Sequence, residues 1–119
     1  MGMTVATMDV MEVTDERLER LQGEHADVAL FLTAYWPAAE SDDAAALHAI
    51  LRAGRRDDVA RWRRGLVLFL RAPADDADKA AFVRAATRRR FPTERPAAVM
   101  AWLGAIAQAL WEIEGYLAP

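Results

Sequence analysis

The chain has 119 residues, a formal net charge of −3 and 54% hydrophobic residues, which bounds it to a single globular domain that needs no metal or crosslink to fold. It has no cysteine and no asparagine; its only serine is Ser41, and its only histidines are His25 and His48. Chemistry at neutral pH needs a group titrating near 7 or a nucleophile that a neighbour activates, so a catalytic site here would rest almost entirely on carboxylates. The composition therefore favours a non-enzymatic protein that works by binding, without cofactor or metal.

Charge is unevenly placed. Residues 1–50 carry ten acids against Arg17 and Arg20, whereas residues 51–119 carry thirteen basic groups and eight acids. Such asymmetry steers charged partners, or is satisfied internally when an acidic helix lies on a basic one. No basic stretch followed by an apolar run opens the chain, and the absence of cysteine fits a reducing compartment, so a cytoplasmic location is expected.

Residues 1–13 show no strong period and are expected to form a flexible segment ahead of a helical domain at 14–119. Thr14 has the chemistry of an N-cap, with Asp15 and Glu16 at the positive end of the helix dipole. Leu18, Leu21, His25, Val28, Leu32 and Tyr35 then recur at three- and four-residue steps, predicting one continuous helix that Pro37 stops. Ser41 is expected to cap a second helix, with Leu47, Ile50 and Leu51 on its apolar face and Gly54 at its end.

Asp57 and Asp58 open a third helix whose inner side is Val59, Trp62, Leu66 and Phe69. The run Leu66–Leu70 is apolar all round and reads as a buried helix, since no second strand-like run exists to pair with it. After the turn Ala72-Pro73-Ala74, acids at Asp75, Asp76 and Asp78 begin a fourth helix with Phe82, Val83 and Ala86 inward and Arg88, Arg89 and Arg90 at its end. Phe91-Pro92 breaks it. Pro96 opens the last helix, striped by Val99, Leu103, Ile106, Leu110, Ile113 and Leu117. Its uncharged stretch, Pro96 to Trp111, is shorter than the run of about 20 strongly apolar residues that spans a bilayer, so it reads as a core helix and no membrane is expected as a partner. The fold class is all-α: a single compact bundle of about five helices.

Candidate sites follow from the charge pattern. Glu40, Asp42 and Asp43 form an acidic cluster after the proline stop, placed either to cap a helix or to meet a basic partner. Of the four tryptophans, Trp102 lies off the main stripe of the last helix and is the one expected to reach a second face or a partner. Glu40, Asp42, Asp43 and Trp102 are thus the candidate partner-binding residues. Arg55, Arg56, Arg61, Arg63 and Arg64 surround Trp62 and form the alternative, a nucleic-acid-binding segment after a helix–glycine–helix junction. Asp57 and Asp58, where a recognition helix would begin, oppose phosphate. His25 and His48 have no carboxylate three or four residues away in a ligand pair and read as packing residues.

Taken in order, Phe31-Leu32 with Tyr35-Trp36, the segment Val59–Leu70, Asp75-Asp76, Phe91-Pro92 and Trp102-Leu103 resemble the small helical immunity proteins of contact-dependent growth inhibition and related polymorphic toxin systems, over residues 18–110. Where that family carries a histidine-glutamine-aspartate-tryptophan run, this chain has Pro37-Ala38-Ala39-Glu40. The resemblance implies a cytoplasmic, non-enzymatic protein that binds and neutralises a cognate toxin domain. A small nucleic-acid-binding regulator and a helical subunit of a larger assembly are the alternatives, and the sequence does not distinguish a monomer from a homodimer.

Overall fold

A computed structural model of the chain describes residues 16–92 and 95–118. Residues 1–13, expected to be flexible, and Thr14, expected to be a cap, lie outside the described residues. The described residues are helical with short links and contain no strand. Among the described residues there are six helices, one more than the periodicity suggests: α1 (16–24), α2 (Ala26–Tyr35), α3 (Asp43–Ala53), α4 (Arg56–Arg71), α5 (Asp76–Thr87) and α6 (Pro96–Tyr116).

The extra helix comes from a break at His25, where φ −125° and ψ 42° leave helical geometry. Backbone bonds bridge the break, His25 N–H to Leu21 O at 2.9 Å and Ala29 N–H to His25 O at 3.1 Å, so the apolar stripe continues across it. Gly23 weakens the helix just ahead, and the His25 ring packs edge-on against Phe69 with centroids 5.1 Å apart. Ahead of the break, Arg17 of α1 approaches Asp78 at 3.9 Å and Leu21 is buried.

α2, α4, α6 and α5 close a ring in that order, with α4 against α6 the most extensive pairing. α4 and α6 run antiparallel: Arg63 meets Glu114 near one end, and Leu70 shares a groove with Gly104 and Ala107 further along. Leu32, Leu66, Phe69, Phe82, Val83, Val99, Leu103 and Leu110 fill the centre with almost no exposure. Burying a side chain of this size contributes about 1.5–3 kcal/mol, so the inward stripes supply the main driving force. α3 lies against α2 and α6 and buries only Ala46 and Ile50. α6, at 21 residues, is longer than its uncharged run and is long and apolar enough to cross a membrane by length and composition; a third of its most apolar stretch is buried inside the bundle.

The start of α3 and the exposure of Leu68 depart from the expectation, while Gly54 ends α3 as expected. Asp42, one residue beyond Ser41, caps α3 by accepting the Ala45 N–H at 3.3 Å. Ser41 instead shapes the preceding turn, its Oγ accepting the Ala38 N–H at 3.0 Å. Gly54 ends α3 in an extended conformation, and its glycine identity answers a close approach: a Cβ there would lie 2.5 Å from Ile50 O and 3.0 Å from Val59 Cγ2. Leu68, expected to be buried, is 65% exposed, because the inward arc of α4 is taken by Val59, Leu66 and Phe69.

Lys79 is the opposite case, a charged side chain only 4% exposed on α5. Its Nζ donates to Leu70 O at 2.9 Å, in the last turn of α4, where the helix dipole favours a cation. Lys79 stands at the spacing of Phe82, Val83 and Ala86, so its position on the inner stripe was present in the periodicity.

Candidate functional site

The turn after Pro37 exposes Glu40 and Asp42, while Asp43 turns inward. Four hydrogen bonds converge on the Asp43 carboxylate. Trp36 Nε1 donates to Oδ1 and Trp102 Nε1 to Oδ2, each at 2.9 Å. Arg89 adds a bidentate pair, Nε to Oδ1 at 2.9 Å and Nη2 to Oδ2 at 3.1 Å. One carboxylate thereby ties together the exit of α2, the start of α3, the segment after α5 and the first turns of α6. Charge-assisted bonds of this length are roughly twice as strong as neutral ones.

The aromatic rings complete the assembly. Trp36 is fully buried and packs edge-on against Trp102 at 5.3 Å between centroids; Phe91 approaches Trp102 from another side at 5.2 Å. The Arg89 guanidinium lies over Phe91 at 4.7 Å and over Trp102 at 5.2 Å. Burial pushes the Asp43 carboxyl up, but the bonds from Trp102, Trp36 and Arg89, with the Arg89 charge, outweigh it and hold the group below the usual carboxylate range.

Chain geometry around α5 sets this arrangement up. α5 ends at Thr87, whose Oγ1 accepts the Arg89 N–H at 3.3 Å and donates to Val83 O at 2.9 Å. Arg88 follows in the left-handed region, φ 53°, the only described residue with positive φ. That reversal carries Arg89 back toward Asp43, and Arg90 N–H reaches Ala39 O across the turn at 3.4 Å. Of the four candidate partner-binding residues, the structure brings Asp43 and Trp102 together and uses both inside the molecule. Glu40 and Asp42 remain at the surface of the turn that this network holds.

The alternative arginine set divides around α4. Arg63, half-buried, pairs with Glu114 at 2.7 Å and lies 4.9 Å over the Trp111 ring. That bond holds the Glu114 carboxyl below its ordinary range against desolvation, with the charges of Arg56 and Arg64 adding to it. Arg61 points the other way, pairing with Asp58 at 3.4 Å and lining a cleft with Trp62 and Leu30. Arg55 is exposed at the N-cap of α4. The five do not share a face.

His48 is exposed on α3, away from the half-buried His25. Among the described residues no three His, Asp or Glu side chains gather as metal ligands would. A cleft of about 510 Å³ lies between α1 and the α4–α5 turn and is lined by Arg17, Arg20, Glu24 and Asp78 among others, apart from the acidic turn. Arg89 is the site residue that sequence reasoning missed as an individual: it was visible only as the middle of an arginine triplet at a helix end. Comparison with known protein families, with characterised proteins and with solved structures finds no match.

Proposed function

We propose that this chain is a non-enzymatic binding protein of the immunity type, which occludes a cognate bacterial toxin domain in the cytoplasm. The observation that carries the reading is a convergence. Trp36, Phe91 and Trp102, three of the landmarks on which the resemblance to immunity proteins rests, meet around Asp43 from distant parts of the chain. Together they stiffen the turn that displays Glu40 and Asp42. A pre-formed turn loses little conformational entropy on binding, and exposed carboxylates raise the encounter rate with a basic groove, such as the active site of a nuclease toxin.

Occlusion requires no chemistry from the inhibitor, only a rigid surface with a few buried anchors and complementary charge. The test begins with affinity capture of the tagged protein from its native lysate, followed by assay of any captured enzyme with and without added inhibitor. Stoichiometric neutralisation is expected. The variant Glu40→Ala/Asp42→Ala should associate about tenfold more slowly at low salt and with a flatter salt dependence. A captured enzyme that stays fully active at saturating inhibitor would overturn the reading, and association unchanged at every ionic strength would remove the acidic turn from it.

A further inference from the structure

The Asp43 assembly has the chemistry of a receptor for a planar cation. A carboxylate offers two oxygens to a two-pronged donor, and two aromatic faces stand within cation–π distance of the same point, 4.7 Å for Phe91 and 5.2 Å for Trp102. In this fold the occupant is the chain's own Arg89. We propose that Asp43, Phe91 and Trp102 form a guanidinium-binding cage, which Arg89 fills in cis and which accepts the guanidinium of an arginine side chain or small guanidine when Arg89 is withdrawn.

Two features support a cage distinct from an ordinary ion pair. The Asp43 oxygens are aimed before Arg89 is considered, because each accepts an indole N–H at 2.9 Å, from Trp36 on Oδ1 and Trp102 on Oδ2. The site is reachable: the side chains of Asp43 and Arg89 are 33% and 17% exposed, so one side opens to solvent. Arg88, immediately before Arg89, ends α5 with φ 53° and its N–H bonded to Arg84 O at 3.1 Å, so the turn that delivers Arg89 is set by the helix end. Among the described residues the guanidinium also donates from Nη1 to Arg90 O at 3.0 Å. This proposal stands independently of the toxin-inhibitor reading.

The probe is methylguanidinium chloride at up to about 50 mM, far below denaturing concentrations, with methylammonium chloride and sodium chloride as controls. The readout is the indole N–H resonances of Trp36 and Trp102, with thermal midpoints measured alongside. In Arg89→Ala, methylguanidinium should shift both resonances saturably, with half-saturation on the order of 10 mM, and should raise the midpoint. Methylammonium, lacking the planar fork, should bind at least fivefold more weakly. Wild type should not respond, because the tethered Arg89 competes at high effective concentration. Adding Asp43→Asn to Arg89→Ala should abolish the response. Linear drifts without saturation, equal responses to the two cations, or the same response in wild type would overturn the cage. Arg89→Met, which keeps an apolar stem over Phe91, guards against misfolding of the alanine variant. Failure of both variants to fold even in methylguanidinium would also overturn it, since the cage would then not exist apart from Arg89.

Discussion

Asp43→Asn isolates the charge of the central carboxylate while keeping its shape. The carboxylate accepts four hydrogen bonds of 2.9–3.1 Å, two from indoles and two from Arg89. The amide retains one acceptor oxygen and turns an N–H₂ group toward donors, so about half of these contacts become donor against donor. It also leaves the Arg89 guanidinium, 17% exposed, without a counter-charge. A hydrogen bond to a charged group contributes about 1.5–3 kcal/mol, and partial exposure of Asp43 reduces this through solvent screening. The expected loss is about 2–3 kcal/mol, which in a domain of this size lowers the thermal midpoint by roughly 10 °C.

The pH dependence gives a sharper test. The folded-state pKa of Asp43 lies below the ordinary value of 3.8, burial raising it and the four donated bonds lowering it further. A depressed carboxylate contributes stability that is fully present above the unfolded pKa and is lost as pH falls through the folded one. Wild type should therefore exceed Asp43→Asn by a constant margin from about pH 7 to pH 5, and the margin should shrink below about pH 4. Urea unfolding followed by far-ultraviolet circular dichroism, which does not depend on the tryptophans of the network, measures both quantities. A margin under about 1 kcal/mol at pH 7, or one unchanged at pH 3, would refute the assignment of Asp43 as the charged hub.

Two further substitutions test the local backbone. Gly54→Ala should destabilise the fold by about 1–3 kcal/mol in the same urea assay, because the new Cβ would meet Ile50 O at 2.5 Å and Val59 Cγ2 at 3.0 Å. A neutral result would mean that the α3–α4 junction can shift to admit a methyl group. Arg88→Gly should stabilise it by about 0.5–1 kcal/mol, since glycine adopts the left-handed conformation at φ 53° without the Cβ penalty. A midpoint that falls instead would show that the Arg88 side chain contributes more than its backbone costs.

The convergence on Asp43 has a consequence for how the protein presents charge. Its acidic N-terminal half reaches the surface at the turn as two carboxylates, Glu40 and Asp42, while the third is neutralised within the fold. Arg90, whose N–H bonds to Ala39 O, keeps basic groups close to the same turn. A basic partner would therefore meet a local, mixed-charge feature, and the salt dependence of association is expected to be moderate.

Periodicity by itself determined most of the helical layout, because burial of an apolar stripe is what makes these segments helices. Val28, Leu32, Val59, Leu66, Phe82, Leu103 and Leu110 all lie where their spacing places them. Proline and glycine marked the ends for steric reasons that need no partner: Pro37 follows α2, Gly54 follows α3 and Pro96 opens α6. The break at His25 was not legible, since the apolar stripe and the flanking backbone bonds run through it; the Phe69 contact and the α1 docking surface come from elsewhere in the chain. Leu68 likewise looks like its buried neighbours until the direction of α4 against α2 and α6 is known.

The roles within the acidic cluster were decided only by tertiary structure. Asp42 and Asp43 are adjacent carboxylates with the same local capping chemistry, and one hydrogen bond to Ala45 N–H distinguishes the cap from its neighbour. What makes Asp43 a hub is the arrival of Arg89 and Trp102, 46 and 59 residues away, together with Trp36 from the preceding helix end. Local sequence specifies which conformations a segment prefers, through torsions and stripe spacing. Which donors meet a given acceptor depends on how the stripes dock, and that is set by the packing of the whole chain.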